Sequence, residues 1–452
     1  MTVALRPAVP PAAISLARTS LALLPVQVCL RAAEALLPLL LAAWYGRSVA
    51  TDVFYLAWAL GAVAASVVVG LFRDSALIPI LVREESERRD TLDAVRGAVL
   101  GHALVMGGAL GVAVAAGGVV WLGPRWPGGR AAFALWLALP FSGYVVLQGA
   151  RSFLEAVVQA EGRFVRATLG GAVGMSLAVA ILALSRGRGG IAVVPLALLA
   201  AEAASVLVLA RYALERLPAP SLRRLPAVRE FGRRALAEAA GGALTRLNPL
   251  LDQAMAAALA VTGGGTLLRL SGDVAGVLAS LLQATLLPVL LGRLSRDMVG
   301  RRVGSDQHRR TVIGTMLVTA GLLGALATLL GLGRRPILTL AFQHGAMDAA
   351  GVAELAALLP YHLVGVVPFG LLLILARAHV SLGNSRIMFR MGILNCLCNL
   401  GFNFVLRSVL GLRGLALSTS LVSAVVAGVF WVSLTRVYAR TGVAAAKLRE
   451  AA

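Results

Sequence analysis

The residues best able to do chemistry in this 452-residue chain are charges set where charges are costly. Arg31 and Glu34 stand three apart, and Arg269 and Asp273 four apart, inside otherwise apolar stretches. Asp52, Arg73 and Asp74 fall in a third stretch, Glu238, Arg246 and Asp252 in a fourth, and Glu202 in a fifth. On a helix, residues three or four apart share a face. An Arg or Asp at mid-bilayer costs roughly 2.5–3.5 kcal/mol on insertion scales, so such groups face a partner, a protein interior or a watered cavity. A guanidinium keeps its proton and offers a planar fork of donors, which suits paired phosphate oxygens. The expectation is an anion-binding cavity gripped by Arg31 and Arg269. The competing expectation is that Arg31–Glu34 and Arg269–Asp273 only neutralise one another. Arg73 is a third candidate, although its neighbour Asp74 and its place near the membrane surface equally suit a snorkelling residue.

A second polar feature is a stripe of Asn395, Asn399 and Asn403, at i, i+4 and i+8 of one helix, followed by Ser418, Thr419 and Ser420. Together with Asp252, these oxygens suit a hard cation such as Na⁺. Ordinary hydrogen bonding between membrane helices explains them as well. The five histidines do not pair at metal-ligand spacing. Cys29, Cys396 and Cys398 lie in apolar segments, the last two on different faces of one helix, so neither redox nor metal chemistry is expected of them. The sequence contains no phosphate-binding glycine loop with its lysine and no HExxH, so it offers nothing for an ATPase or metalloprotease.

The elements that must position these residues follow from composition. Hydrophobic residues make up 59% of the chain and charged residues 14%, far from the balance of a soluble domain. Apolar stretches of about twenty residues recur throughout, which defines a polytopic helical membrane protein and excludes a cytosolic enzyme, a secreted disulfide scaffold or an outer-membrane barrel. Twelve spans are expected, near 24–46, 53–82, 97–122, 131–150, 167–185, 191–211, 235–261, 264–291, 311–332, 350–376, 389–406 and 412–435. The net charge of +21 lies mostly in short loops, where it reports topology rather than nucleic-acid binding. With the N-terminus cytoplasmic, twenty-nine basic residues fall inside and nine outside, which places both termini in the cytoplasm. No cleavable signal peptide is expected.

The chain also looks duplicated. Ala76-Leu77-Ile78-Pro79-Ile80-Leu81 matches Thr285-Leu286-Leu287-Pro288-Val289-Leu290, and Arg188-Gly189-Gly190-Ile191-Ala192-Val193 matches Leu412-Arg413-Gly414-Leu415-Ala416-Leu417, in the same order. Two six-helix halves are expected, 1–212 and 235–436, joined by a basic linker at 213–234 and followed by a tail at 437–452. Six is an even number, so the halves are parallel repeats with a transport path between them.

Four stretches resemble the MurJ/MviN-type lipid II flippase family. They are Tyr45-Gly46 with Thr51-Asp52-Val53-Phe54 and the 76–81 motif; Leu154-Glu155-Ala156 with Gln159-Ala160-Glu161-Gly162-Arg163-Phe164; Leu247-Asn248 through Asp252 with Leu268-Arg269-Leu270; and Phe342-Gln343-His344-Gly345 with Tyr361, Arg377 and Gly414 to Ser418. The resemblance implies a fold like that of the multidrug (MATE) exporters and a bacterial inner-membrane protein. Its passenger would be an undecaprenyl-pyrophosphate-linked glycan, moved from inner to outer leaflet by alternating access. By position, Arg31, Asp52 and Arg269 match the family's cavity residues. Its sodium site corresponds to Asp252, Asn395, Asn399 and, more loosely, Thr419. Where the family has further cavity charges this chain has Leu37, Ala65, Ser66 and Leu268, and many members have fourteen helices rather than twelve. A polyprenyl-linked glycan other than lipid II therefore stays open, as does coupling to Na⁺, H⁺ or the membrane potential. Glycan-synthesis enzymes are the expected partners. The alternatives are a cation-coupled drug exporter of the same fold and a non-transporting membrane scaffold of a glycan-synthesis complex.

Overall fold

The computed structural model describes residues 16–70, 72–213, 219–259, 261–280, 306–382 and 386–450. Every regular element among them is helical. The first, α1 (Leu16–Tyr45), ends at Gly46, and Ser48 caps α2 (Val49–Ala65). The cap is reciprocal: Thr51 N–H donates to Ser48 Oγ at 3.2 Å while Ser48 N–H donates to Thr51 Oγ1 at 2.8 Å, which satisfies two donors the helix leaves open. The run Val53 to Ala57 is buried on all sides, as a helix at the centre of a bundle must be. Beyond α2 the chain passes through two π-helical turns, Ser66–Gly70 and Arg73–Leu77, before α3 (Ile78–Glu87), so the expected second span is interrupted rather than continuous. Wide turns of this kind concentrate at functional sites.

The N-terminal helices continue with α4 (Arg89–Trp121), the short α5 (Gly129–Phe133), α6 (Leu139–Ala160), α7 (Phe164–Ser185) and α8 (Val193–Ala213). They share one apolar core that runs from Leu37 to Ala227. The C-terminal helices are α9 (Pro226–Ala257), α10 (264–280), α11 (Asp306–Leu332), α12 (Arg334–Phe342), α13 (Ala349–Leu363), α14 (Val366–Ser381), α15 (Arg386–Leu410) and α16 (Leu412–Glu450). Their two cores centre on Leu270, Leu355 and Leu359 and on Ile374, Val426 and Leu434.

Among the described residues, nine helices are long and apolar enough to cross a membrane, and α13 with α14 forms a tenth span bent by 40°. The expected seventh span lies in α9, where Glu238, Arg246 and Asp252 make it too polar to stand out by hydropathy. The expected eighth is helical from 264 to 280. Its remainder to 291, the 285–290 motif of the repeat and Arg293, Arg296, Arg301 and Arg302 lie outside the described residues. Leu184, Val120, Leu332 and Leu340 point outward from the bundle, as lipid-facing side chains do.

One end of the bundle is tied shut. Ala346 N–H, in the α12–α13 loop, donates to Ala43 O of α1 at 2.6 Å. Gly46 and Gly345 permit this approach. Both have positive φ, and a Cβ on either would sit within 2.4 Å of a carbonyl oxygen of the other segment. Arg47 then reaches Glu354 of α13 at 2.5 Å and Asp348 at 3.7 Å. At the opposite end the start of α9 rests on the N-terminal helices. There Glu230 takes two bonds from Arg83, at 2.6 and 3.2 Å, which hold the proton on that guanidinium more firmly than usual.

Candidate functional site: a cavity among the C-terminal helices

Arg269 sits on α10 with its Nε 3.0 Å from Asp273, one turn further on. Its guanidinium lies over the Trp58 ring of α2, 5.4 Å from the ring centre, so the side chain reaches from the C-terminal helices to the N-terminal ones. Such a cation–π contact holds a guanidinium without consuming all its donors. Arg269 also borders a cavity of about 320 Å³, lined as well by Asp252, Gln253, Asp273, His362, Thr419 and Ser420. Both expected intrahelical pairs form, since Arg31 contacts Glu34 at 2.7 Å.

Arg31 does not line that cavity, and its side chain is 58% exposed. The pattern along α1 shows what it faces. Val28, Arg31, Ala35, Leu39 and Ala42 fall on one helical stripe. Toward the closed end, Leu39 and Ala42 of this stripe pack against the C-terminal core. Further along, Val28, Arg31 and Ala35 are exposed. Arg31 thus shares a stripe with residues that pack on the C-terminal helices but is itself exposed.

Asp52 is held at the start of α10. It accepts from Gly263 N–H at 2.8 Å, Thr266 N–H at 2.7 Å and Thr266 Oγ1 at 2.8 Å. Thr266 Oγ1 also lies 2.9 Å from Thr51 Oγ1. A carboxylate on the open N–H groups of a helix start is favourable in charge and in hydrogen bonding. Asp52 thus ties α2 to α10 at the closed end and borders a smaller pocket of about 150 Å³, not the cavity of Arg269.

Arg73 belongs to a separate network. It bonds Asp74 at 2.8 Å and Glu155, while Arg151 pairs with Glu155 at 3.0 Å and with Glu202 at 2.7 Å. The fourth span does not stop at 150, because α6 runs on to Ala160 and carries Arg151 and Glu155 into the interior. The stretch 154–160, expected in a loop, is therefore helical.

The polar stripe of α15 meets α9. Asp252 Oδ1 accepts from Asn399 at 3.1 Å and Asn403 at 2.6 Å, and Oδ2 lies 3.4 Å from Thr419 Oγ1 of α16. Asn395 is not part of this group, since it bonds Asn248 instead. Asn403, part of the stripe but not of the family's site, takes its place. Its Oδ1 is buried without a hydrogen-bond partner, an orphaned acceptor beside a buried carboxylate. Both amides turn N–H rather than oxygen to the carboxylate, as in ordinary bonding between membrane helices, and Asn403 Oδ1 is the amide oxygen left for a cation. Among the described residues no group of three or more His, Cys, Asp or Glu is assembled for a transition metal.

The described helices define an all-helical, polytopic membrane protein. A multidrug MATE transporter in an inward-facing conformation superimposes with a TM-score of 0.72 at 15% identity, over 93% of this chain and 98% of that one. An outward-facing MATE structure gives 0.64 at 15% identity, over 94% and 96%. The lipid II flippase MurJ in an inward closed conformation gives 0.74 at 16% identity, over 92% and 87%. No curated protein sequence matches the chain. The sequence pattern of the lipid II flippase MurJ family matches residues 41–449, and the chain belongs to that family.

Proposed function

We propose that this protein is an alternating-access flippase. It would carry an undecaprenyl-pyrophosphate-linked glycan precursor, lipid II or a related lipid-linked oligosaccharide, from the inner to the outer leaflet of the bacterial cytoplasmic membrane. Family membership supports movement of a lipid-linked precursor. The observation that carries the finer reading is Arg269, which borders the cavity among the C-terminal helices while its guanidinium lies over Trp58 of the N-terminal set. With Arg31 of α1 it would offer two permanently charged guanidinium groups to a pyrophosphate diester with about two negative charges.

In this reading Asp52 and Thr266 hold the outer end closed while the headgroup enters from the cytoplasmic side, with both termini there. Outward transfer of about two negative charges from a negative interior gains about 4–5 kcal/mol per 100 mV, enough to drive export without ATP. Asp252, with Asn399, Asn403 and Thr419, would hold Na⁺ or a proton that helps to reset the carrier; Asn395 would support that group through Asn248. Arg73 would serve the N-terminal network rather than the passenger. Enzymes that build or polymerise the glycan are the natural partners.

Binding of undecaprenyl-pyrophosphoryl-N-acetylglucosamine to the purified protein in lipid nanodiscs tests the reading. The wild type should bind it and discriminate against undecaprenyl monophosphate, and Arg269→Ala should lose most of that discrimination. Equal binding of both lipids, or preferential binding of organic cations at the carboxylates Asp252 and Asp273, would replace it with the drug-exporter alternative.

A further inference from the structure

His362 has no task in the account above, yet it borders the same cavity as Arg269. It lies at the end of α13, where the helix breaks before α14. The break is braced by α16, since Ser420 Oγ–H donates to Tyr361 O at 2.5 Å and lies 3.4 Å from His362 O. Interrupted helices at mid-membrane are where transporters place their binding groups. The imidazole is oriented by Ser271 of α10, whose Oγ lies 2.8 Å from Nδ1. The other nitrogen, Nε2, bonds no described residue. It faces α10 across Gly272, where an added Cβ would stand 3.8 Å from it. Arg269 lies about one turn of α10 before Gly272, and His362 and Arg269 line the same cavity.

Charge balance gives this placement its meaning. The charged groups that line the cavity are Asp252 from α9 and Arg269 and Asp273 from α10. Gly365, Val366 and Phe369 from α14 and Thr419, Ser420 and Ser423 from α16 are uncharged. With a neutral imidazole the lining carries two carboxylates against one guanidinium. A doubly charged phosphate ligand entering such a site needs further positive charge.

We propose that His362 is a further cationic contact for the pyrophosphate headgroup, taking a proton from water as the headgroup arrives and donating it in a hydrogen bond from Nε2. The proposal rests on the pyrophosphate reading above and goes beyond it by making headgroup binding proton-linked. The linkage is reciprocal: a dianion beside the ring favours the imidazolium, and the imidazolium favours the dianion by the same factor.

The test is the affinity of the full-length protein in nanodiscs for undecaprenyl-pyrophosphoryl-N-acetylglucosamine, at constant saturating Na⁺, between about pH 6 and pH 8.5. Both phosphates of this probe are esterified, so its charge is constant over the range and any slope belongs to the protein. Wild-type affinity should rise as pH falls, by at most about tenfold per unit for one linked proton. His362→Gln should be flat and as weak as the wild type at high pH. Gly272→Leu covers Nε2 but keeps the imidazole, and should flatten the profile too, so the test survives failure of either variant to fold. A flat wild-type profile with binding still lost in Arg269→Ala would overturn the role of His362 alone. A wild-type slope retained in His362→Gln would assign the proton elsewhere and overturn it equally. Absence of wild-type binding at every pH would remove the pyrophosphate reading together with this one.

Discussion

Asp52 of α2 and Thr266 of α10, 214 positions apart, share two hydrogen bonds of 2.7 and 2.8 Å, from the backbone amide and the hydroxyl of the threonine to one carboxylate oxygen. Bonds to a charged acceptor contribute about 1.5–3 kcal/mol each, so loss of even one shifts a two-state equilibrium roughly tenfold or more. Asp52→Ala should therefore populate a state open at this end. Spin labels at Val49 and Val261, both exposed beside the small pocket, should report longer distances in the variant. An unchanged distance distribution would deny Asp52 a part in closure.

Arg47 and Glu354 close the same end more loosely. The glutamate side chain is 50% exposed, and pairs this open contribute only about 0.2–1 kcal/mol. Arg47→Glu and Glu354→Arg should each weaken closure slightly, and the double exchange should restore it. The same spin-label pair reads the effect, and it should shrink at high salt.

The buried network behaves differently. Arg151 holds both Glu155 and Glu202, and removal of one partner from a buried ion pair costs about 3–5 kcal/mol because the other charge is stranded. Arg151→Ala, which strands Glu202, should lower the thermal midpoint in detergent by several degrees. Arg31→Ala, whose pair with Glu34 is exposed, should leave it nearly unchanged. That contrast separates charges kept for the fold from charges kept for a passenger.

For the cation group, Na⁺ should stabilise the wild type, by about 2.7 kcal/mol at a hundredfold excess over its dissociation constant. Asp252→Ala should abolish the shift and Asn403→Ala should reduce it. Asn395→Ala should leave more of it, because that residue meets Asn248 rather than the carboxylate. A full sodium shift in Asp252→Ala would move the cation elsewhere.

What the sequence made legible was local or periodic. The i, i+4, i+8 spacing marked the Asn399 and Asn403 face, and spacings of three and four gave the Arg31–Glu34 and Arg269–Asp273 pairs. The bases in the loops and the apolar runs gave the membrane class. The network of Arg73, Glu155, Arg151 and Glu202 was not legible, because its members meet across three helices and Arg151 follows an apolar run that looks finished at Ala150. Trp58 gave no sign either. Nothing in its local sequence shows that α10 will lay an arginine on its ring. His362 was not legible either, since a lone histidine carries no spacing signal; only the break after Leu363 and the bare backbone at Gly272 give it a cavity to face.

The central claim is that Arg31 and Arg269 grip a pyrophosphate in transit. Its most direct test is the initial rate at which the protein, reconstituted in proteoliposomes, flips undecaprenyl-pyrophosphoryl-N-acetylglucosamine under an imposed potential. The account predicts that Arg31→Ala and Arg269→Ala each cut the rate by about a hundredfold or more at unchanged insertion and stability, as loss of about 3 kcal/mol of charged hydrogen bonding would. Wild-type rates in both variants would contradict it.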